Sequence, residues 1–156
     1  YNTFFVSKEK YGDFELTFEY RFLKPGTNSG VALRTPPQGI PAYVGMEIQL
    51  LDDEGWEGVH KFALKDYQHT GSIYDVQPAK KAANKPVGEW NAVRVVCKGR
   101  DVSVSLNGDE LVKANLDDYA AKFDKHPGLK RAAGHLGFQS YNVRVDFRNV
   151  TVAESK

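Results

Sequence analysis

From Phe14 to Phe22, the apolar residues Phe14, Leu16, Phe18, Tyr20 and Phe22 alternate with Glu15, Thr17, Glu19 and Arg21 over nine positions. Side chains of an extended strand point alternately to opposite faces, so this period of two makes one apolar face and one polar face. A strand of that kind is stable only with neighbours at its edges and a second apolar layer across from it. The rest of the chain supplies both. Turn residues from Lys24 to Gly30 lead into Val31-Ala32-Leu33-Arg34, which stops at Pro36-Pro37, and Tyr43 to Leu51 reads as a third strand. Trp90 to Lys98, Asp101 to Leu106 and Glu110 to Ala114 are three more, the last pair joined by Asn107-Gly108, a strong hairpin signal. Gly134 to Gln139 and Val143 to Val152 close the chain. The apolar parity of that last run shifts after Phe147, which predicts a bulge near Arg148 or Asn149. Leu116 to Phe123 is the one helical stretch expected, and Asp52 to Gly71 reads as a long surface loop. Short strands at regular spacing predict an all-β antiparallel sandwich or barrel.

Composition narrows the function classes. The 156 residues carry 21 Lys and Arg against 20 Asp and Glu, a net charge of +1, so the counterion release that drives nucleic-acid binding has no basic cluster behind it. No run of 18 apolar residues exists to form a membrane-spanning helix. Cys97 lies among Val93, Val95 and Val96 and is expected to be a buried, inert thiol.

With one face of each strand committed to the core, chemistry is expected on the other. Arg34 is opposite in parity to Val31 and Leu33, and Glu47 and Gln49 to Ile48 and Leu50. If these strands are neighbours, Arg34, Glu47 and Gln49 converge, either to grip sugar hydroxyls or to form a cross-strand Arg34–Glu47 ion pair. Glu19, Glu47, Asp52 and Asp53 are candidates for a pair of glycosidase carboxylates. The E-x-D-x-x-E run of retaining sandwich glycanases is broken, however, since the stretch reads Glu47-Ile48-Gln49-Leu50-Leu51-Asp52. His60, His69, His126 and His135 lack metal-ligand spacing, and His69, where the long loop re-enters a strand, is a candidate general base. Trp56, Tyr67, Tyr74 and Tyr141 fall in or near loops where rings stack on sugars, whereas Trp90 is expected in the core.

Several stretches together resemble one family: Tyr11-Gly12-Asp13-Phe14-Glu15-Leu16, Asn28-Ser29-Gly30 through Arg34, Glu47 through Asp52, and Thr70-Gly71-Ser72-Ile73-Tyr74. To these are added Gly88-Glu89-Trp90-Asn91, Leu106-Asn107-Gly108, Gly137-Phe138-Gln139 and Phe147-Arg148-Asn149-Val150. In this order they are similar to the 3-keto-disaccharide hydrolase domain, a concanavalin A-like jelly roll found mostly in exported bacterial proteins. The family runs from its Leu-Gln block into Asp-His-Gly, whereas this chain has Gln139-Ser140-Tyr141-Asn142, with Tyr141 where a histidine is expected. The resemblance implies a single jelly-roll domain over 1–156, short of an N-terminal edge strand, working in the periplasm or outside the cell. It also implies a small carbohydrate substrate ketonised at C3, made by a partner sugar 3-dehydrogenase. A C3 ketone acidifies the C2 hydrogen, so one base can start elimination of the C1 group and two carboxylates are not required. The roles implied are His69 or Glu47 as base, Arg34 as stabiliser of the enolate, and Gln49, Asp52, Tyr74, Gln139 and Tyr141 as sugar contacts. A divalent cation held by Glu47 and Asp52 is the alternative electrophile. A carbohydrate-binding module without catalysis is the competing reading, favoured by Tyr141.

Overall fold

The alternating segment becomes β2 (Phe14–Phe22), whose five apolar side chains are all buried while the residues between them are half-buried. The computed structural model describes residues 2–81 and 84–155 of the chain. The other strands are β1 (Thr3–Val6), β3 (Asn28–Thr35), β4 (Met46–Leu51), β5 (Asn91–Lys98), β6 (Asp101–Leu106), β7 (Asp109–Asn115), β8 (His135–Ser140) and β9 (Val145–Glu154). They form two antiparallel sheets, one ordered β1-β8-β3-β4 and the other β7-β6-β5-β2-β9. Phe14 to Phe22 of β2 and Val93, Val95 and Cys97 of β5 share one core with Val31 and Leu33 of β3 and Met46, Ile48 and Leu50 of β4. The antiparallel sandwich expected from the strand pattern is thus the fold.

Local signals set the joints. Asn107 and Gly108 take positive φ values of 50° and 90°, the mirror-image turn that matches strand twist in a two-residue hairpin. The parity shift in β9 is a bulge: Thr17 pairs with Thr151 but Glu19 with Arg148, and Asn149 takes φ 53° to absorb the extra residue. Cys97 is fully buried, and desolvation pushes its thiol up to about 12, so it is unreactive in the folded state.

Three expectations are corrected. The run from Tyr43 splits into α1 (Pro41–Val44) and β4, because Pro41 presets the first turn of a short helix. The aperiodic stretch after Asp52 holds α2 (Asp53–His60), with Asp53 and Glu54 in its first turn, followed by a 3-10 turn over Asp66–Gln68. Trp90 is only half-buried, its ring flanked by the guanidinium of Arg21 at 4.6 Å and that of Arg148 at 3.9 Å.

Candidate functional site

On the outer face of the four-stranded sheet, polar side chains surround a floor of small residues. Register pairs Gly30 with Gln49 and Ala32 with Glu47, and on the other side Ala32 with Gly137. Residues of opposite parity, Val31, Leu33, Ile48 and Leu50, face the core, so Gly30, Ala32, Gly137, Glu47, Gln49 and Gln139 share the outer face. The small floor matters at Gly30, where a Cβ would stand 2.3 Å from Glu47 Oε1. Only glycine leaves that carboxylate its place.

Glu47 is 7% exposed and its carboxylate makes no hydrogen bond or ion pair with any described residue. Burial without a partner disfavours the anion, and desolvation raises its pKa from the ordinary 4.5 to about 7. Strongly perturbed carboxylates concentrate at functional sites, which makes Glu47 a candidate for one. The Gln49 side chain is buried and likewise unbonded to any described residue. Gln139 donates from Nε2 to Asn2 Oδ1 at 2.8 Å, which leaves its buried Oε1 with no partner among the described residues. Ser72 to Tyr74 run beside β4 as an added edge: Gln49 N–H donates to Ser72 O and Tyr74 N–H to Glu47 O, with Ile48 bridged to Ile73. Alternation from Ile73 puts Tyr74 beside Glu47. Its hydroxyl accepts from Gln68 Nε2 at 3.2 Å, and Tyr67 packs edge-on at 5.5 Å.

Three of the expected residues are elsewhere. Arg34 does not converge with Glu47. A left-handed backbone at Arg34, φ 47°, breaks the alternation and turns the side chain inward. Its fully buried guanidinium donates to Gly12 O at 2.7 and 3.0 Å and to Gly99 O at 2.9 Å, with Asp13 Oδ1 3.4 Å away. Arg34 therefore ties β3 to the loop before β2 and to the β5–β6 turn, and neither the sugar grip nor the Arg34–Glu47 ion pair forms. Asp52 is also engaged: its Oδ2 accepts from Gly26 N–H at 2.9 Å, fastening the loop before β3 to the start of α2. No group of three or more His, Cys, Asp or Glu side chains is gathered as metal ligands among the described residues.

His69 belongs to a separate cavity of about 590 Å³, lined by Asp53, Glu54, Asp66, His69, Pro78, Ala79 and Lys81. Its Nδ1 lies 3.4 Å from Asp53 Oδ1. Desolvation raises the Asp53 pKa, opposed by the Thr70 backbone N–H at 3.1 Å and by the His69 imidazole. Asn84 links Asp53 inward, donating to Asp53 Oδ2 at 3.2 Å and accepting from the Tyr20 hydroxyl. Tyr141 is exposed in the β8–β9 turn.

Sequence reasoning singled out Glu47, Gln49 and Gln139 but missed the Gly30–Ala32–Gly137 floor, whose signal was small residues alternating with Val31 and Leu33. It named Asp53 only as one acid among four. Asn84 gave no signal, since its role depends on meeting Asp53 and Tyr20 from 31 and 64 residues away.

The model of one domain family, the 3-keto-alpha-glucoside-1,2-lyase-like domain, matches residues 1–153. A 3-keto-disaccharide hydrolase of Bacteroides thetaiotaomicron is 27% identical over 176 aligned positions, covering 94% of this chain and 60% of that protein. The chain thus spans 60% of the length of this curated relative. A glycosyl hydrolase candidate of known structure from Parabacteroides distasonis superposes with a TM-score of 0.83 at 26% identity, covering 99% of this chain and 84% of that one. The carbohydrate-binding module CBM66 of Bacillus subtilis shares the fold, with a TM-score of 0.64 at 14% identity over 99% of this chain and 82% of that one.

Proposed function

Because the chain belongs to the 3-keto-alpha-glucoside-1,2-lyase-like domain family, we propose that it cleaves the glycosidic bond of a 3-keto-disaccharide or 3-keto-glycoside, with Glu47 as the base. The observation that carries this reading is the buried Glu47 carboxylate, unpartnered and with its pKa raised to about 7. A base poised near neutrality combines a useful ionised fraction with the basicity to take a carbon-bound proton.

In this mechanism the Glu47 carboxylate takes the C2 proton and the electron pair moves toward the C3 oxygen. The resulting enolate collapses to expel the C1 oxygen, breaking the glycosidic bond and leaving a 3-keto sugar unsaturated between C1 and C2. The departing oxygen takes up a proton. Water then adds its hydroxyl at C1 and a proton at C2, so the sum is hydrolysis. Arg34 cannot serve the enolate, because its donors are spent on backbone carbonyls. The Gln49 carboxamide, paired across from Gly30 and unbonded to any described residue, is the donor assigned to the C3 oxygen. One aligned donor of that kind is worth about 10²–10³ in rate. Tyr74, beside Glu47, holds a hydroxyl of the ketonised ring.

A second reading rests on the His69–Asp53 pair, where a half-buried carboxylate lies against an imidazole at a cavity wall. One experiment separates the readings. With 3-keto-trehalose, the natural sequence and His69→Asn should release product while Glu47→Gln releases none and still binds the sugar. Loss of turnover in His69→Asn with Glu47→Gln active would move the base to the His69 cavity. Saturable binding by the natural sequence without any release would make the domain a carbohydrate-binding module.

A further inference from the structure

Beyond the Glu47 and Gln49 side chains, four more buried side-chain polar atoms among the described residues have no protein partner: Arg21 Nε, Asn28 Oδ1, Trp56 Nε1 and Gln139 Oε1. A buried polar atom left unpaired is costly, and native folds keep few of them. Arg21 lies on β2, where its guanidinium already holds Asp146 at 2.7 Å. The other three meet at one end of the four-stranded sheet, where β3 begins, β4 ends into α2 and β8 ends. We infer that this end is a binding subsite for a second, neutral sugar ring, the leaving half of a disaccharide whose ketonised ring sits at Glu47. The inference rests on the reading of Glu47 and Gln49 as the reaction centre.

The subsite is built. Gly26 O receives both His60 Nε2 at 2.9 Å and Asn142 Nδ2 at 3.1 Å, and Asn142 Oδ1 accepts from the Asn28 backbone N–H at 3.0 Å. Trp56 stacks on His60 with ring centres 3.8 Å apart, which fixes the indole. Gln139 is held through its Nε2 by Asn2, and its backbone carbonyl accepts from Ser29 Oγ at 2.7 Å. Each side chain or its backbone is therefore anchored, leaving its orphan atom for a ligand. Trp56 and Gln139 are 7% and 8% exposed.

The chemistry favours a hydroxylated ring. The three atoms comprise one donor and two acceptors, and a hydroxyl is both. None carries a charge and two of the three are acceptor oxygens that a phosphate or carboxylate cannot satisfy, so a neutral hydroxylated ring fits better than an anion. Two exposed rings flank the site: Phe62, edge-on to Trp56 at 5.5 Å, and Tyr141, next in sequence to Asn142. Aromatic faces of this kind pack on the C–H faces of sugars. Glu47 Oε1 stands over Gly30, two residues from Asn28, so the subsite and the base lie roughly 7 Å apart along β3. Two linked rings bridge that span.

The test compares 3-keto-trehalose with methyl 3-keto-α-glucoside. Trp56→Phe removes the N–H while keeping a ring on His60, and Asn28→Ala removes an acceptor. Each should lower the preference for the disaccharide, read as the ratio of the two KM values, by about tenfold, the effect of one lost hydrogen bond to a buried group. An unchanged ratio in both variants overturns the subsite while turnover upholds the Glu47 reading. Titration of ¹⁵N-labelled Glu47→Gln protein with 3-keto-trehalose gives a readout free of catalysis and of any change at Trp56. The Trp56 indole N–H resonance should shift while that of Trp90 stays. A stationary Trp56 resonance at saturation overturns the subsite. If the natural sequence turns over neither substrate, the Glu47 reading fails, and a shifted Trp56 resonance still upholds sugar binding at this end.

Discussion

Glu47 holds a charge that its surroundings oppose. Its folded pKa of about 7 lies above the ordinary 4.5, so between these values the folded state binds more protons than the unfolded chain, and stability falls as pH rises through that window. Above pH 7 the full penalty applies, on the order of 3 kcal/mol, because a tenfold change in proton affinity is worth about 1.36 kcal/mol. Glu47→Gln should therefore raise the midpoint of thermal unfolding at pH 8, with the gain gone by pH 4.5, while turnover disappears. An unchanged or lower midpoint at pH 8 would mean the carboxylate is not desolvated. Activity of the natural sequence should rise with pH and level off above about 7, because the base works ionised. Gly30→Ala tests the same group from the floor. Its Cβ, 2.3 Å from Oε1, must push the flexible carboxylate aside, so turnover should fall at least tenfold with little change in unfolding midpoint.

At the scale of elements, parity made β2 legible and misled at β3. Alternation predicts Phe18→Ala to cost about 3–5 kcal/mol as a core cavity, measurable by denaturant unfolding, since Phe18 is buried and packs edge-on against Phe138 at 5.1 Å. The same rule assigned Arg34 to the outer face, and there a single left-handed residue reversed it. Nothing in Val31-Ala32-Leu33-Arg34 announces a positive φ at an arginine, because the cause lies in what Gly12 and Gly99 offer from distant turns. Arg34→Ala should accordingly lower stability by about 3 kcal/mol or more, as several buried carbonyls lose their donor, while molecules that remain folded keep their turnover. Loss of turnover at full stability would return Arg34 to the chemistry. The helix α2 was hidden for a different reason: Gly55 and Gly58 dilute its apolar pattern, and only Trp56 is buried, so no stripe of period 3.6 is visible. The bulge at Asn149 and the Asn107-Gly108 hairpin were legible because their causes are local.

For the whole molecule, the sandwich was readable from strand spacing, and half of the candidate site from strand parity. The His69–Asp53–Asn84 chain and the unpaired atoms near Trp56 were not, since each depends on residues meeting across sheets or loops. Cys97 offers a check on how the domain opens as a unit. With its thiol held near 12 inside the core, a thiol reagent should label it only through global unfolding, at a rate that tracks denaturant-measured stability. Faster labelling would reveal partial opening between the sheets. The Arg34 tie has a consequence for how such a sequence drifts over time. Its acceptors are main-chain carbonyls, which every amino acid supplies, so replacing a partner residue does not by itself delete the bond. Gly99 is constrained by its φ of 57°, and Arg131, whose carbonyl lies 3.5 Å from Arg34 Nη1, hardly at all on this account. A saturation mutagenesis survey should find position 34 less tolerant than Arg131, an asymmetry of inheritance in which one side of each contact is carried by a codon and the other by the backbone common to all.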